Sequence, residues 1–230
     1  MIQKKFIMDM TKSQWEKWVV DRGFPKFRAG QIALWLSKGV IQVQEMKNIP
    51  TEIRIALEED FATSDGFYLI SEHVSEIDGT RKYVFSLFDS HCIETVIMRY
   101  KTGLTVCISS QVGCKMGCAF CASSKLGFGR NLSAGEMLAQ VLVPSRLLSE
   151  KISRVVVMGI GEPFDNYVHL IDFLKAVNAP DGPNIGARHI TVSTCGLIDQ
   201  MIEFMCIGMQ VNLSVSLHAA NDVLRRTLMP

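Results

Sequence analysis

Gly103–Cys121 reads GLTVCISSQVGCKMGCAFC, a short strand-like run that empties into a loop carrying three cysteines. Cys114, Cys118 and Cys121 stand in the order Cys-x3-Cys-x2-Cys. A fully ligated iron–sulfur cube uses four cysteines, so three on one tight loop leave one iron open. An open metal position belongs to a catalytic site, whereas structural sites are closed. Zinc is the alternative, with Cys107 or a histidine recruited as fourth ligand. Zinc ribbons, however, usually bring two Cys-x2-Cys pairs, and this chain has no second pair. Seven cysteines, an odd count in 230 residues, argue against a disulfide framework.

Downstream of this stretch the pattern alternates between strand and helix. Ser133-Ala134-Gly135-Glu136 is a capping box opening the helical run MLAQVLVPSRLLSE, in which Pro144 should kink or split the helix. RVVVMGI, HITVST and VNLSVSL are strand-like, with YVHLIDFLKAV and LIDQMIEFMC as helices between them. Short apolar strands alternating with helices predict parallel βαβ units. Counting GLTVCISS, four such strands make part of a (β/α) barrel, whose C-terminal strand ends form the active face. Those ends are Gly159-Ile160-Gly161-Glu162-Pro163, Ser193-Thr194-Cys195-Gly196 and Ser216-Leu217-His218. Singly, a glycine turn or a histidine after a strand is ordinary; together they suit a nucleoside cofactor.

Upstream, residues 1–62 read as a small helical module. Trp15, Trp18 and Val19 sit at helical spacing, as do Ile32, Trp35 and Leu36, and later Ile53, Leu57 and Phe61. Lys26 and Arg28 in its first turn are suited to a phosphate or simply to water. Residues 63–100 switch to period two: YLISEHVSEI, RKYVFSLF and CIETVIMRY form a meander with turns at Asp78-Gly79 and Asp89-Ser90. This meander is expected to link the helical module to the core, residues 101–230.

Composition sets the context. The chain is 48% hydrophobic and 20% charged, with net charge +1, and is ordinary for a globular protein. The start is too polar for a signal peptide, and no run approaches a membrane span. Unpaired cysteines point to a reducing cytoplasm. Residues 101–154 carry Lys101, Lys115, Lys125, Arg130, Arg146, Lys151 and Arg154 against Glu136 and Glu150. That excess is either a solvated surface or a basic rim for a phosphate-bearing substrate.

The run from Val106 through Cys121, then Gly129-Arg130-Asn131-Leu132-Ser133, resembles the radical S-adenosylmethionine (SAM) RNA adenine methyltransferases of the RlmN/Cfr family. The motifs Gly159–Asn166, Thr191–Gly196 and Ser216–Ala219 resemble the RlmN type. The resemblance implies a [4Fe–4S] cluster on Cys114, Cys118 and Cys121. It also implies SAM contacts from Gly161, Glu162, Ser193, Ser216, Leu217 and His218. Glu94 would be the carboxylate that takes a proton from adenine, and Cys107 would pair transiently, as a disulfide, with a methyl-carrying cysteine. The plainer alternatives are a partly exposed strand glutamate and a buried strand thiol.

The product implied is 2-methyladenosine in 23S rRNA and in tRNA. A Cfr-type C8 methyltransferase is the alternative, and Pro163 after Glu162 favours the first. Adenine C2–H is neither acidic nor nucleophilic, so one SAM would methylate a cysteine and a second would supply radical chemistry. Flavodoxin or a similar donor would supply electrons, and the full-length family member would be a cytoplasmic monomer. In the family the methyl-carrying cysteine and a SAM-binding asparagine lie in segments after the position of Pro230. The 230-residue chain is therefore expected to bind a cluster, with weakened SAM affinity, and not to complete methyl transfer. A third reading is an inactive cluster- and RNA-binding fragment. An open edge on the fourth parallel strand should favour association.

Overall fold

A computed structural model describes residues 4–230, the side chain of Leu126 excepted. The first three residues of the expected helical module lie outside the described residues. Strand β1 (Lys5–Phe6) leads into three ten-residue helices, α1 (Lys12–Asp21), α2 (Arg28–Ser37) and α3 (Thr51–Asp60). Thr11 caps α1 in a reciprocal box with Gln14. Trp15 and Val19 on α1, Ile32 and Leu36 on α2, and Ile53 and Leu57 on α3 point into one core. Strand β2 (Phe61–Ala62) pairs parallel with β1 and ties the two ends of the module together.

The meander follows as β3 (Phe67–Val74), β4 (Arg81–Leu87) and β5 (Cys92–Tyr100). Then come β6 (Gly103–Ile108) and a short clasp of β7 (Gln111–Gly113) with β8 (Phe128–Asn131). Helix α4 (Ala134–Leu148), β9 (Ile152–Val157), α5 (Tyr167–Asn178), β10 (Ile190–Thr194), α6 (Ile198–Met205), β11 (Asn212–Val215) and α7 (Asp222–Leu228) complete the order. Seven strands form one sheet in the order β11-β10-β9-β6-β5-β4-β3. Strands β6, β9, β10 and β11 run parallel, and β5 joins β6 antiparallel. This is a mixed α/β architecture whose four parallel strands form part of a barrel.

Two expectations need correction. The meander is not a separate linker: β5 bonds to β6 along Val96↔Cys107 through Tyr100↔Gly103, so the sheet runs unbroken across residue 100. An antiparallel strand beside a parallel set satisfies an edge that would otherwise stay open. Pro144 does not split its helix, since α4 runs continuously from Ala134 to Leu148. Val141, Leu142 and Pro144 are all buried, and that burial outweighs the roughly 3 kcal/mol a mid-helix proline costs.

Alternation along the strands decides which face is open. Tyr83, Phe85, Ile93, Ile97, Leu104, Val106, Ile108, Val155, Val157, Ile190 and Val192 are buried in one core with residues of α4 and α5. The intervening residues, among them Lys82, Glu94, Val96, Cys107, Val156 and Ser193, are only partly buried or exposed and line the opposite, helix-free face.

Candidate active site at the strand ends

The C-terminal end of β6 is pinned by a buried polar hub. Gln140 of α4, fully buried, accepts from the Ser109 N–H at 2.8 Å and from Thr95 Oγ1 at 3.0 Å, and donates to the Ser109 carbonyl at 3.0 Å. Ser109 Oγ in turn donates to the Glu94 carbonyl at 2.7 Å and accepts from the Ile160 N–H at 3.1 Å. One side chain thus ties β5, β6 and the loop after β9 together. Sequence reasoning missed Gln140 and Ser109; a glutamine four residues past Glu136 in an otherwise apolar run was the available signal.

The cysteine loop hangs from the β7–β8 clasp. Gln111, fully buried, donates to Asn131 Oδ1 at 2.8 Å and Asp165 Oδ2 at 2.7 Å, and accepts from the Glu162 N–H at 2.9 Å. Gly113 has φ +72°, and a Cβ there would sit 1.7 Å from the Gly127 carbonyl oxygen. Only glycine permits that closure, which the Cys114 N–H completes by donating to the same oxygen at 3.1 Å. Gly161, at φ +106°, is likewise pressed against Gln111, with 2.6 Å left for a Cβ. Arg130 of β8 grips Glu136 through two 2.8 Å bonds and also bonds Asp89, with its guanidinium 4.6 Å from the Phe88 ring centre. Burial alone would push Asp89 up, but bonds from Arg130 and His91 bring it down to about 2.

Cys114, Cys118 and Cys121 lie on this loop, partly exposed and unbonded to one another. Among the described residues no three metal-binding side chains are drawn together into a ready-made metal site. The thiols nevertheless feel one another. Burial pushes Cys114 and Cys118 up, and the charges of neighbouring loop cysteines and of Glu162 raise them further. Three soft sulfur ligands on one short loop suit an iron–sulfur cluster or zinc rather than a hard ion. Of the fourth ligands considered for a zinc site, Cys107 lies on β6, its thiol pushed up by burial and lowered in part by the Met158 backbone amide, and the His218 ring packs 4.6 Å from Phe120.

The strand ends converge beside the loop. Glu162 is 4% exposed, and its carboxylate accepts from the Phe164 N–H at 3.0 Å and the Cys195 N–H at 2.7 Å. It therefore couples the exit of β9 to that of β10. Burial and Glu162 push the Cys195 thiol up to about 12, and Cys118 and Cys114 add to the rise. Ser193 Oγ on β10 and Ser216 Oγ, just past the end of β11, stand 3.4 Å apart, and His218 holds φ +56°. Leu217 is exposed. Helix α7 closes the far side: the Ala119 N–H donates to the Leu228 carbonyl at 2.9 Å, and Arg225 donates to the Cys195 carbonyl.

Glu94 and Cys107 share the open face. Val96 pairs with Cys107 across β5 and β6, so Glu94, two residues along β5, points the same way. The Glu94 carboxylate accepts from Lys82 Nζ at 3.0 Å, with about half of each side chain exposed. All seven cysteines are free, so the disulfide expected of Cys107 has no counterpart among the described residues. Part of the basic excess over residues 101–154 is paired within the chain. Lys115 pairs with Asp165, Arg130 with Asp89 and Glu136, Arg146 with Glu45, and Arg154 bonds Thr102. Local charge excess on the sequence did not reveal partners far along the chain. A cavity of about 680 Å³ lies elsewhere, between the helical module and α4–α5, where Asp9 accepts from the Gly135 N–H at 2.7 Å.

Residues 108–229 match the family model for the radical SAM superfamily, and residues 6–62 match that for the ribosomal RNA large subunit methyltransferase N-terminal domain. The chain is 46% identical to a probable dual-specificity RNA methyltransferase RlmN of Staphylococcus carnosus, over 99% of this chain and 63% of that protein. It is 47% identical to the corresponding protein of Clostridium perfringens strain 13, over 98% of this chain and 65% of the other. The chain thus spans about two thirds or slightly less of these relatives. The crystal structure of a radical SAM methyltransferase from Sphaerobacter thermophilus superposes with a TM-score of 0.92 at 37% identity, covering 98% of this chain and 67% of that one. With a core matched over more than half its length, the chain belongs to the radical SAM superfamily, and its N-terminal domain is of the type found in RlmN methyltransferases.

Proposed function

We propose that the chain supplies the cluster-binding, adenine-facing part of an RNA methyltransferase that forms 2-methyladenosine in 23S rRNA and tRNA through a methyl-cysteine. The observation that carries this reading is the placement of Glu94 and Cys107 on one open face, beside a three-cysteine loop at the ends of four parallel strands. The order of domains supports it, an RlmN-type N-terminal domain preceding a radical SAM core. A [4Fe–4S] cluster and SAM come with membership of the superfamily.

When bound, the cluster gives SAM one-electron chemistry, which is what an inert aromatic C–H requires. Cys114, Cys118 and Cys121 would hold it. The Glu162 carboxylate is already engaged by two backbone N–H groups, so contact with SAM at this position falls to the Gly161–Glu162 backbone. Ser193 and Ser216 present paired hydroxyls on the same side, and Leu217 and His218 border the space they face. Glu94 would remove the proton from adenine, held in place by Ser109 through its own carbonyl. Cys107 would supply the thiol that closes on a methyl-carrying cysteine, which the resemblance puts outside residues 1–230. The target adenine has to lie unstacked to reach an open sheet face. No helix among the described residues is long and apolar enough to cross a membrane. Seven free thiols fit a reducing cytoplasm, and a donor such as flavodoxin would feed the cluster of a monomeric enzyme.

Anaerobic reconstitution with iron and sulfide tests the reading. The chain should take up a cluster whose EPR spectrum changes on adding SAM, and Cys118→Ala should abolish uptake. A preference for zinc, or a spectrum indifferent to SAM, would refute it. Mass analysis of adenosine from RNA treated with the enzyme separates product at C2 from product at C8.

A further inference from the structure

We propose that Lys82 is a phosphate-binding residue that holds Glu94 in reserve and releases it when RNA binds. The inference rests on the proposed function and adds a control over one of its groups. Val84 lies opposite Glu94 on β4 and β5, which makes Lys82 the diagonal neighbour of Glu94 on the open face. Its ammonium sits 3.0 Å from Glu94 Oε1, and no other ion pair involves either side chain among the described residues. Both are close to half exposed, 43% for Lys82 and 47% for Glu94. An exposed pair of this kind is weak and easily exchanged.

The neighbouring cations are unavailable for that exchange. Arg81, the adjacent residue, is bound to Glu72, and by alternation its side chain leaves the opposite face of β4. Lys115 is held by Asp165 and Arg130 by two carboxylates. Lys82 is thus the cation that the sheet presents beside Glu94. An adenosine brought to Glu94 carries its backbone phosphate within a nucleotide's length of the base. A carboxylate and a phosphate repel each other across that gap, and a lysine bound to the carboxylate is placed to move to the phosphate. Transfer of the ammonium frees Glu94 Oε1 to accept a proton only when RNA is in place.

Binding of a labelled RNA hairpin with an unpaired loop adenosine tests this, using the chain, Lys82→Met, Glu94→Gln and the double variant over a range of salt. Lys82→Met should weaken binding several-fold and make the salt slope shallower by about one. Lys82→Arg should restore both. Glu94→Gln should tighten binding about two- to fivefold by freeing Lys82, and should tighten it clearly less in the Lys82→Met background, where relief of repulsion is all that remains. Equal tightening in both backgrounds would mean simple repulsion between Glu94 and phosphate, and would overturn the proposal. An unchanged slope in Lys82→Met would overturn it too, while leaving RNA binding itself intact. Absence of hairpin binding by every variant would sink the RNA substrate reading and this one with it. A hairpin with a neutral methylphosphonate beside the loop adenosine should bind the unaltered chain as weakly as Lys82→Met binds the ordinary one; no such loss counts against the phosphate as partner.

Discussion

Replacing Arg130 by Met should unfold the clasp that carries the cysteine loop. The Glu136 side chain is 2% exposed, and its two strongest partners are Arg130 Nη1 and Nη2, each at 2.8 Å. Removing them leaves a desolvated carboxylate with the Ser133 N–H at 2.9 Å as its remaining bond. Breaking a buried pair from one side costs about 3–5 kcal/mol. Arg130 itself is 25% exposed, so water can partly refill the site and the lower figure applies. At a urea dependence of about 2 kcal/mol per molar, a loss of about 3 kcal/mol moves the unfolding midpoint down by roughly 1.5 M. Urea titration of the metal-free chain followed by circular dichroism measures this directly. Adding Glu136→Gln should recover most of the loss, because the stranded charge goes with it. A midpoint that moves by less than about 0.3 M, or a double variant no better than the single, would refute the claim that the carboxylate is what makes Arg130 indispensable.

The pH dependence has a definite sign at Asp9. Burial pushes its carboxyl above the ordinary value of 3.8, and bonds from Ser133 and Gly135 offset this only in part. The folded chain therefore holds the proton longer than the unfolded one, so this group's stabilisation is full below pH 3.8 and declines as pH rises through the raised value. Asp9→Asn keeps an acceptor for the Gly135 N–H and should flatten that decline; equal slopes for both proteins would contradict it. Gly113→Ala puts a Cβ 1.7 Å from the Gly127 oxygen at φ +72°, a clash on the order of 3 kcal/mol confined to the clasp. It should abolish iron retention while leaving the far-ultraviolet spectrum nearly unchanged, and normal retention would show that the clasp is dispensable.

Much of the architecture was legible because it follows from local rules. Strands β3 to β6 fall where alternation and turn residues put them, and the Ser133–Glu136 box forms both of its bonds. The three-cysteine loop was visible from spacing. What stayed hidden depends on pairings between distant residues. Nothing near Arg130 in the sequence announces Asp89, and nothing near Ser109 announces Gln140, thirty-one positions away. Proline at 144 misled because a local penalty was weighed without the burial around it. The meander passed for a connector because its junction, Thr102 and its flanks, looks like any hairpin turn, and only β-ladder pairing joins it to the core.

That junction has a mechanical consequence. Because β4, β5 and β6 belong to one hydrogen-bonded ladder, Lys82, Glu94 and Cys107 are spaced as marks on a single ruler, with no hinge between the arm and the barrel strands. Deleting one residue of β5 between Thr95 and Tyr100, with the pairing to β6 kept, would turn Glu94 toward the helices and bring Ile93 into its place. Evolution or a protein engineer seeking to reposition the carboxylate against the thiol therefore moves in steps of two residues, or not at all.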